Sequence, residues 1–221
     1  MGMYGTLRRA TAADVARLRA NPPLVRSFLF GEEAAPTPPK ASGGLLGFLR
    51  RLSPLTNTVD RPHEAPTHDA AAEADAAANA TRAPAWLPAA SSDALDLDKA
   101  WHGLHFLFTG GADGGAEPAC FLLSGGEDVG EDDDDDVLAR LLRPEQVRDF
   151  ATFLSALSPA QLTRRFDPER MTALEIYPDV IWQRPEETDE PLGFLLGAFE
   201  ELQAFTAAAA AAGDAVVICV A

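Results

Sequence analysis

Residues 215–220, Ala-Val-Val-Ile-Cys-Val, are continuously apolar and rich in β-branched side chains, and a single turn joins them to a long amphipathic helix. A run of that kind reads as a strand buried on both faces. It demands apolar cover on two sides. It also predicts a central place in the sheet, because an apolar strand left at an edge would recruit other chains. The helix before it is predicted over residues 192–212. Leu192, Leu195, Leu196, Phe199, Leu202 and Phe205 form one stripe, while Glu200, Glu201 and Gln203 face away. Burying six such side chains contributes on the order of 10 kcal/mol gross. Gly213 ends the helix and Asp214 turns the chain.

The remaining elements follow from caps and periodicity. Residues 1–7 mix apolar side chains with glycine and predict a short strand. Thr11 is a good N-cap for a helix over 12–20. Pro22 and Pro23 stop that helix and open another, which would bury Leu24, Phe28 and Leu29. Asp96 or Asp98 can cap a helix over 99–108, whose stripe is Trp101, Leu104, His105 and Phe108. Gly110 supplies its left-handed end. Residues 119–124 fit helix or strand, and residues 137–142 read as a strand. Pro144, Pro159 and Pro168 each sit at a favourable first helical position and open three further helices. The first of these would bury Val147, Phe150, Phe153 and Leu154. The expected class is α+β: a mostly helical single domain around a small β-sheet.

Between the two blocks of that domain, 1–30 and 93–221, lies a different kind of sequence. Residues 31–92 are rich in proline, and from 65 to 90 half of the residues are alanine, with almost no large apolar side chain. Such a segment buries too little surface to offset its chain entropy, so a largely disordered insertion is expected. The exception is the short amphipathic stretch 45–52, expected to sit as a satellite of the core.

Charge narrows the function classes. Acids outnumber bases 34 to 18, giving a net charge of -16. A folded nucleic-acid binder carries a basic patch, so no nucleic-acid partner is expected. No run of 18 apolar residues and no leader pattern is present, so no membrane association and a cytoplasmic location are expected. Two cysteines, Cys120 and Cys219, cannot make a disulfide framework, and both sit in apolar runs where a thiol is inert packing. The acidic run 127–136 fails as a calcium loop. Counted from Asp132, it puts Val137 where glycine is needed and Arg143 where the bidentate glutamate belongs. A solvated loop is expected there, with docking of a basic partner as the functional alternative.

His102 and His105 are three apart on one helix. His105 falls on the apolar stripe and His102 off it, so a buried, hydrogen-bonded His105 and a surface His102 are expected, with no metal. His63 and His68 fall in the insertion. The glycine cluster 110–115 lacks the order of a phosphate loop and follows a helix, so it reads as a turn. Pro178 pushes Tyr177 out of helical geometry and places its phenol at a helix end, with Trp182 close behind. Trp101, His105, Tyr177 and Trp182 would then line one pocket or one stretch of core.

The segment Leu95-Asp96-Leu97-Asp98-Lys99-Ala100-Trp101-His102-Gly103-Leu104-His105-Phe106-Leu107-Phe108-Thr109-Gly110 is distinctive. With Met1-Gly2-Met3-Tyr4-Gly5, Leu123-Ser124-Gly125-Gly126-Glu127, the stretch from Arg165 to Pro178 and the closing helix and strand, it resembles the YfbM-like family, a domain of unknown function. The resemblance implies a small α+β domain and no reaction. It draws attention to Asp98, Lys99, Trp101, His105, Thr109, Gly110, Tyr177 and Pro178. No complete catalytic constellation, metal set or cofactor motif emerges. The expectation is a noncatalytic binding module, immunity- or adaptor-like, for a basic protein or a small ligand. It would bind through Asp98, Lys99, Trp101, His105 and Tyr177. The alternative is an enzyme in which His105 or His102 acts as acid/base, with Lys99 or Tyr177 stabilising charge.

Overall fold

β5 (Ala215–Val220) is the middle strand of a five-stranded sheet ordered β2-β1-β5-β4-β3. The computed structural model describes residues 3–31, 93–130, 138–184 and 190–221. β1 (Gly5–Ala10), from before the insertion, pairs with β2 (Ala94–Asp96) and with β5, both from after it. β4 (Leu138–Leu142) lies on the other side of β5 and carries β3 (Glu127–Val129) at the edge. Every pairing is antiparallel. The class is therefore α+β, with seven α-helices among the described residues.

The two faces of β5 separate by the two-residue period of a strand. Val216 and Ile218 enter the larger core, while Ala215, Val217 and Cys219 enter the smaller one. The smaller core is covered by α1 (Ala12–Ala20) and α2 (Leu24–Phe30), which supply Leu18, Val25, Phe28 and Leu29. Thr11 caps α1 in a capping box with Asp14. The larger core is covered by α3 (Ala100–Thr109), α4 (Pro144–Ser155), α5 (Pro159–Arg165), α6 (Pro168–Ala173) and α7 (Pro191–Ala212). α7 buries Leu195, Phe199, Leu202 and Phe205 of the predicted stripe, while Leu192 and Leu196 are half-buried. Gln203 does not simply face away: its Nε2 donates to the Leu154 carbonyl at 2.9 Å, tying α7 to α4.

The structure corrects several expectations. β1 begins later and runs further than residues 1–7. Arg8 and Arg9 hide the strand from an apolarity count, yet both are used. Arg8 donates to the Phe28 carbonyl and lies over its ring, and Arg9 pairs with Asp214 at 2.6 Å. β2 and β3 are short edge strands. β3 takes the first residues of what reads as a solvated acidic loop, with Glu127 paired to Arg19. Residues 119–124 are neither helix nor strand. They form turns, with Leu123 and Ser124 N–H groups both donating to the Cys120 carbonyl. Arg140 on β4 holds that segment from beneath, donating to the carbonyls of Phe121, Leu122 and Gly125. Finally, α3 is buried almost all round; from Ala100 to Phe108 only His102 keeps part of its surface. A helix enclosed on every side loses the simple stripe that its sequence displays. The insertion, including 45–52, His63 and His68, and the aspartates 132–136 lie outside the described residues.

Candidate functional site

The site residues gather where β1, α3 and the segment after α6 meet. Asp98 takes the left-handed backbone region at φ 47°, turning the chain from β2 into α3. Its N–H donates to Asp96 Oδ1 at 2.8 Å, and its carbonyl accepts from Gly5 N–H at 2.9 Å. Neither aspartate caps α3. Lys99 occupies the cap position, and no side chain bonds to the helix N-terminus. The carboxylate of Asp96 is instead spent on the turn at Asp98, an arrangement open to short acidic side chains. The Lys99 ammonium stands 5.8 Å from the centre of the Tyr4 ring.

Trp101 is the ring shared by two stacked pairs. Its ring lies 4.8 Å from that of His102, only 2° from parallel, and 5.8 Å from that of Tyr177. Its indole N–H points to the Met3 carbonyl at 3.4 Å. Met3 N–H in turn donates to the Tyr177 hydroxyl at 3.0 Å. The start of β1 is thus held from both sides by aromatic polar tips. Gly5 is required here, because a Cβ at that position would lie 2.7 Å from Trp101 Cβ.

His102 is half-buried, not the free surface residue expected, and both ring nitrogens are engaged. Nε2 meets the Ala112 carbonyl at 2.9 Å, and Nδ1 accepts from Tyr177 N–H at 2.9 Å. A carbonyl can only accept and an amide N–H can only donate, so these partners select the neutral ring protonated at Nε2. Burial also lowers the His102 pKa. His102 therefore clasps two loops, and adding a proton at Nδ1 would break the Tyr177 bond.

His105 is sealed, with no solvent exposure. It is not hydrogen-bonded as expected: neither ring nitrogen has a partner, although the Gly114 backbone lies near enough to favour the charged ring slightly. Desolvation, helped by the nearby His102, brings its pKa down to about 4. Its ring is 6.5 Å from that of His102. Trp182 is likewise buried, with its indole N–H donating to the Ile176 carbonyl at 2.6 Å. It belongs to the core, packed so closely on α3 that a Cβ on Gly103 would come within 2.8 Å of its ring.

The structure therefore brings Asp98, Lys99, Trp101 and Tyr177 together and leaves His105 and Trp182 inside. It also adds members the sequence conceals. Met3 and Tyr4 are 43% and 46% exposed, and Val180, three residues after Tyr177, is 67% exposed. The segments that carry these residues also hold the exposed carboxylates Asp96, Asp98, Glu175 and Asp179. Nothing in a hydropathy pattern marks these as neighbours, because β1, α3 and the segment after α6 are far apart in the chain. The two cysteines are buried and free, and desolvation pushes the Cys219 thiol up to about 11. Among the described residues no group of three or more His, Cys, Asp or Glu is arranged to hold a metal ion. Nor is any helix among them long and apolar enough to cross a membrane.

Comparison with known proteins bears on fold and family. No curated protein matches the chain in sequence. Among solved structures it is similar to a protein of unknown function, YfbM from Escherichia coli. The TM-score is 0.55 at 14% identity, over 99% of both chains. That likeness is one of fold. The family model for a domain of unknown function, DUF1877, matches residues 1–219, and the chain belongs to that family.

Proposed function

We propose that the chain is a noncatalytic module that docks a basic protein through the surface built on Met3, Tyr4, Lys99, Tyr177 and Val180. One observation carries the reading: the exposed Met3 and Tyr4 are tied to the stacked Trp101 and Tyr177 rings through the Met3 backbone, in segments that also carry the exposed carboxylates Asp96, Asp98, Glu175 and Asp179. An exposed apolar patch with a charged rim is the anatomy of a protein contact, and rigid aromatic anchors carry most of the energy in such contacts. These carboxylates and the net charge of -16 favour a partner of opposite sign and speed the encounter. An immunity- or adaptor-like role fits this chemistry. The enzyme alternative loses its proton carriers, because His105 is sealed and His102 has both nitrogens bonded to backbone.

Site-specific photocross-linking in the native host tests the proposal. A cross-linking residue is placed at Tyr4, at Val180 and, as control, at Glu201 on the exposed face of α7. The expected result is one shared adduct with a basic protein from positions 4 and 180, absent from position 201. No adduct from either patch position, or the same adducts from all three, would overturn it.

A further inference from the structure

The C-terminal end of α3 is surrounded by three arginines from the next helices of the larger core. Arg164 and Arg165 close α5, and Arg170 lies on α6. Arg165 Nη1 donates to the Leu107 carbonyl and Arg170 Nη2 to the Gly110 carbonyl, each at 2.9 Å. These bonds satisfy the last carbonyls of the helix and anchor one nitrogen of each guanidinium. The rest of each fork is left over, and Arg164 has no side-chain partner among the described residues. Together the three line a cavity of about 450 Å³. Asp167 is the one acidic residue of its lining among the described residues, and that carboxylate is already engaged, accepting from Arg170 N–H at the start of α6.

This arrangement is unusual for the chain it sits in. Elsewhere some arginines are matched to carboxylates, as in Arg9 with Asp214, Arg19 with Glu127 and Arg143 with Glu145, while Arg140 is spent on three backbone carbonyls. Here three positive charges face one negative across an open space, in a protein where acids exceed bases 34 to 18. Guanidinium forks held in place by carbonyls are pre-organised to grip tetrahedral oxyanions in pairs of parallel bonds. The volume exceeds what a lone phosphate fills, since a water takes roughly 30 Å³. A nucleic acid would have to bring its extended charge against the remaining acidic surface. We infer that this cavity binds a small phosphate-bearing molecule, an inorganic polyphosphate or an organic phosphate ester.

The test is calorimetric titration of the full chain with pyrophosphate and, separately, with phenyl phosphate. Either should bind one to one with a Kd below about 1 mM. The tighter of the two identifies an inorganic or an ester ligand. Arg164→Ala should weaken binding about tenfold or more, as expected for losing one charge-assisted contact. Because that side chain has no partner to lose, the unliganded melting midpoint should stay unchanged. Arg148→Ala, an exposed arginine on α4 outside the cavity, should bind like the parent. Absence of binding, equal loss from the Arg148 and Arg164 variants, or citrate binding as tightly as the phosphates would overturn the inference.

Discussion

Replacing His105 by leucine isolates what it costs to seal an imidazole without partners inside α3. The ring has no solvent exposure and two unsatisfied nitrogens. In the folded state its pKa is about 4, against an unfolded value of about 6.5. The sign follows from proton counting. Below about pH 6.5 the unfolded chain binds a proton that the folded chain refuses, so stability is full above that value. It falls as the pH drops toward about 4, where the folded ring finally charges. From about pH 7.5 to about pH 5 this one ring removes about 2 kcal/mol of stability. Carboxylates titrate over part of the same range, but they do so equally in parent and variant. Urea unfolding of His105→Leu and the parent at several pH values gives the difference directly. The variant should lose about 2 kcal/mol less than the parent across that interval. At neutral pH it should match or exceed the parent by about 1 kcal/mol. Removing an unsatisfied buried polar group gains about 1–3 kcal/mol, while a near-isosteric misfit costs under about 1.5. Parallel pH curves for the two proteins would refute the reasoning, because they would mean that the folded ring titrates as it does in water.

Two further substitutions probe the framework that holds the site. Gly5→Ala places a methyl 2.7 Å from Trp101 Cβ; it should cost about 1–3 kcal/mol in urea unfolding and shift the tryptophan emission as the indole moves. An unchanged midpoint would show that β1 slides away freely. Arg140→Met strips the donors from three carbonyls in the 119–125 turns, leaving polar atoms unpaired at about 1–3 kcal/mol each where no water reaches them. Hydrogen exchange should rise across those turns before it rises in β4, and uniform exchange behaviour would contradict the role given to Arg140.

The architecture was legible in the sequence where one local signal decided it. The β-branched run of β5 announced a strand covered on both faces. Thr11, Pro144, Pro159 and Pro168 announced helix starts through terminal chemistry that needs only neighbouring residues. The short edge strands β2 and β3 were not legible, because three residues carry too little periodicity and their hydrogen bonds come from a distant partner. Trp101 and Tyr177 could be singled out as aromatics beside helix ends. The stacking of His102 and Tyr177 on Trp101, the use of both His102 nitrogens and the isolation of His105 depend on which loops arrive from elsewhere. The arginine cluster shows the same limit. Sequence places Arg164, Arg165 and Arg170 at the ends of two short helices. Only the packing of those helices against the last turn of α3 turns three surface charges into one cavity. Elements follow from interactions between near neighbours in the chain, whereas the patch and the cavity are made by side chains that meet only when the helices close over the sheet.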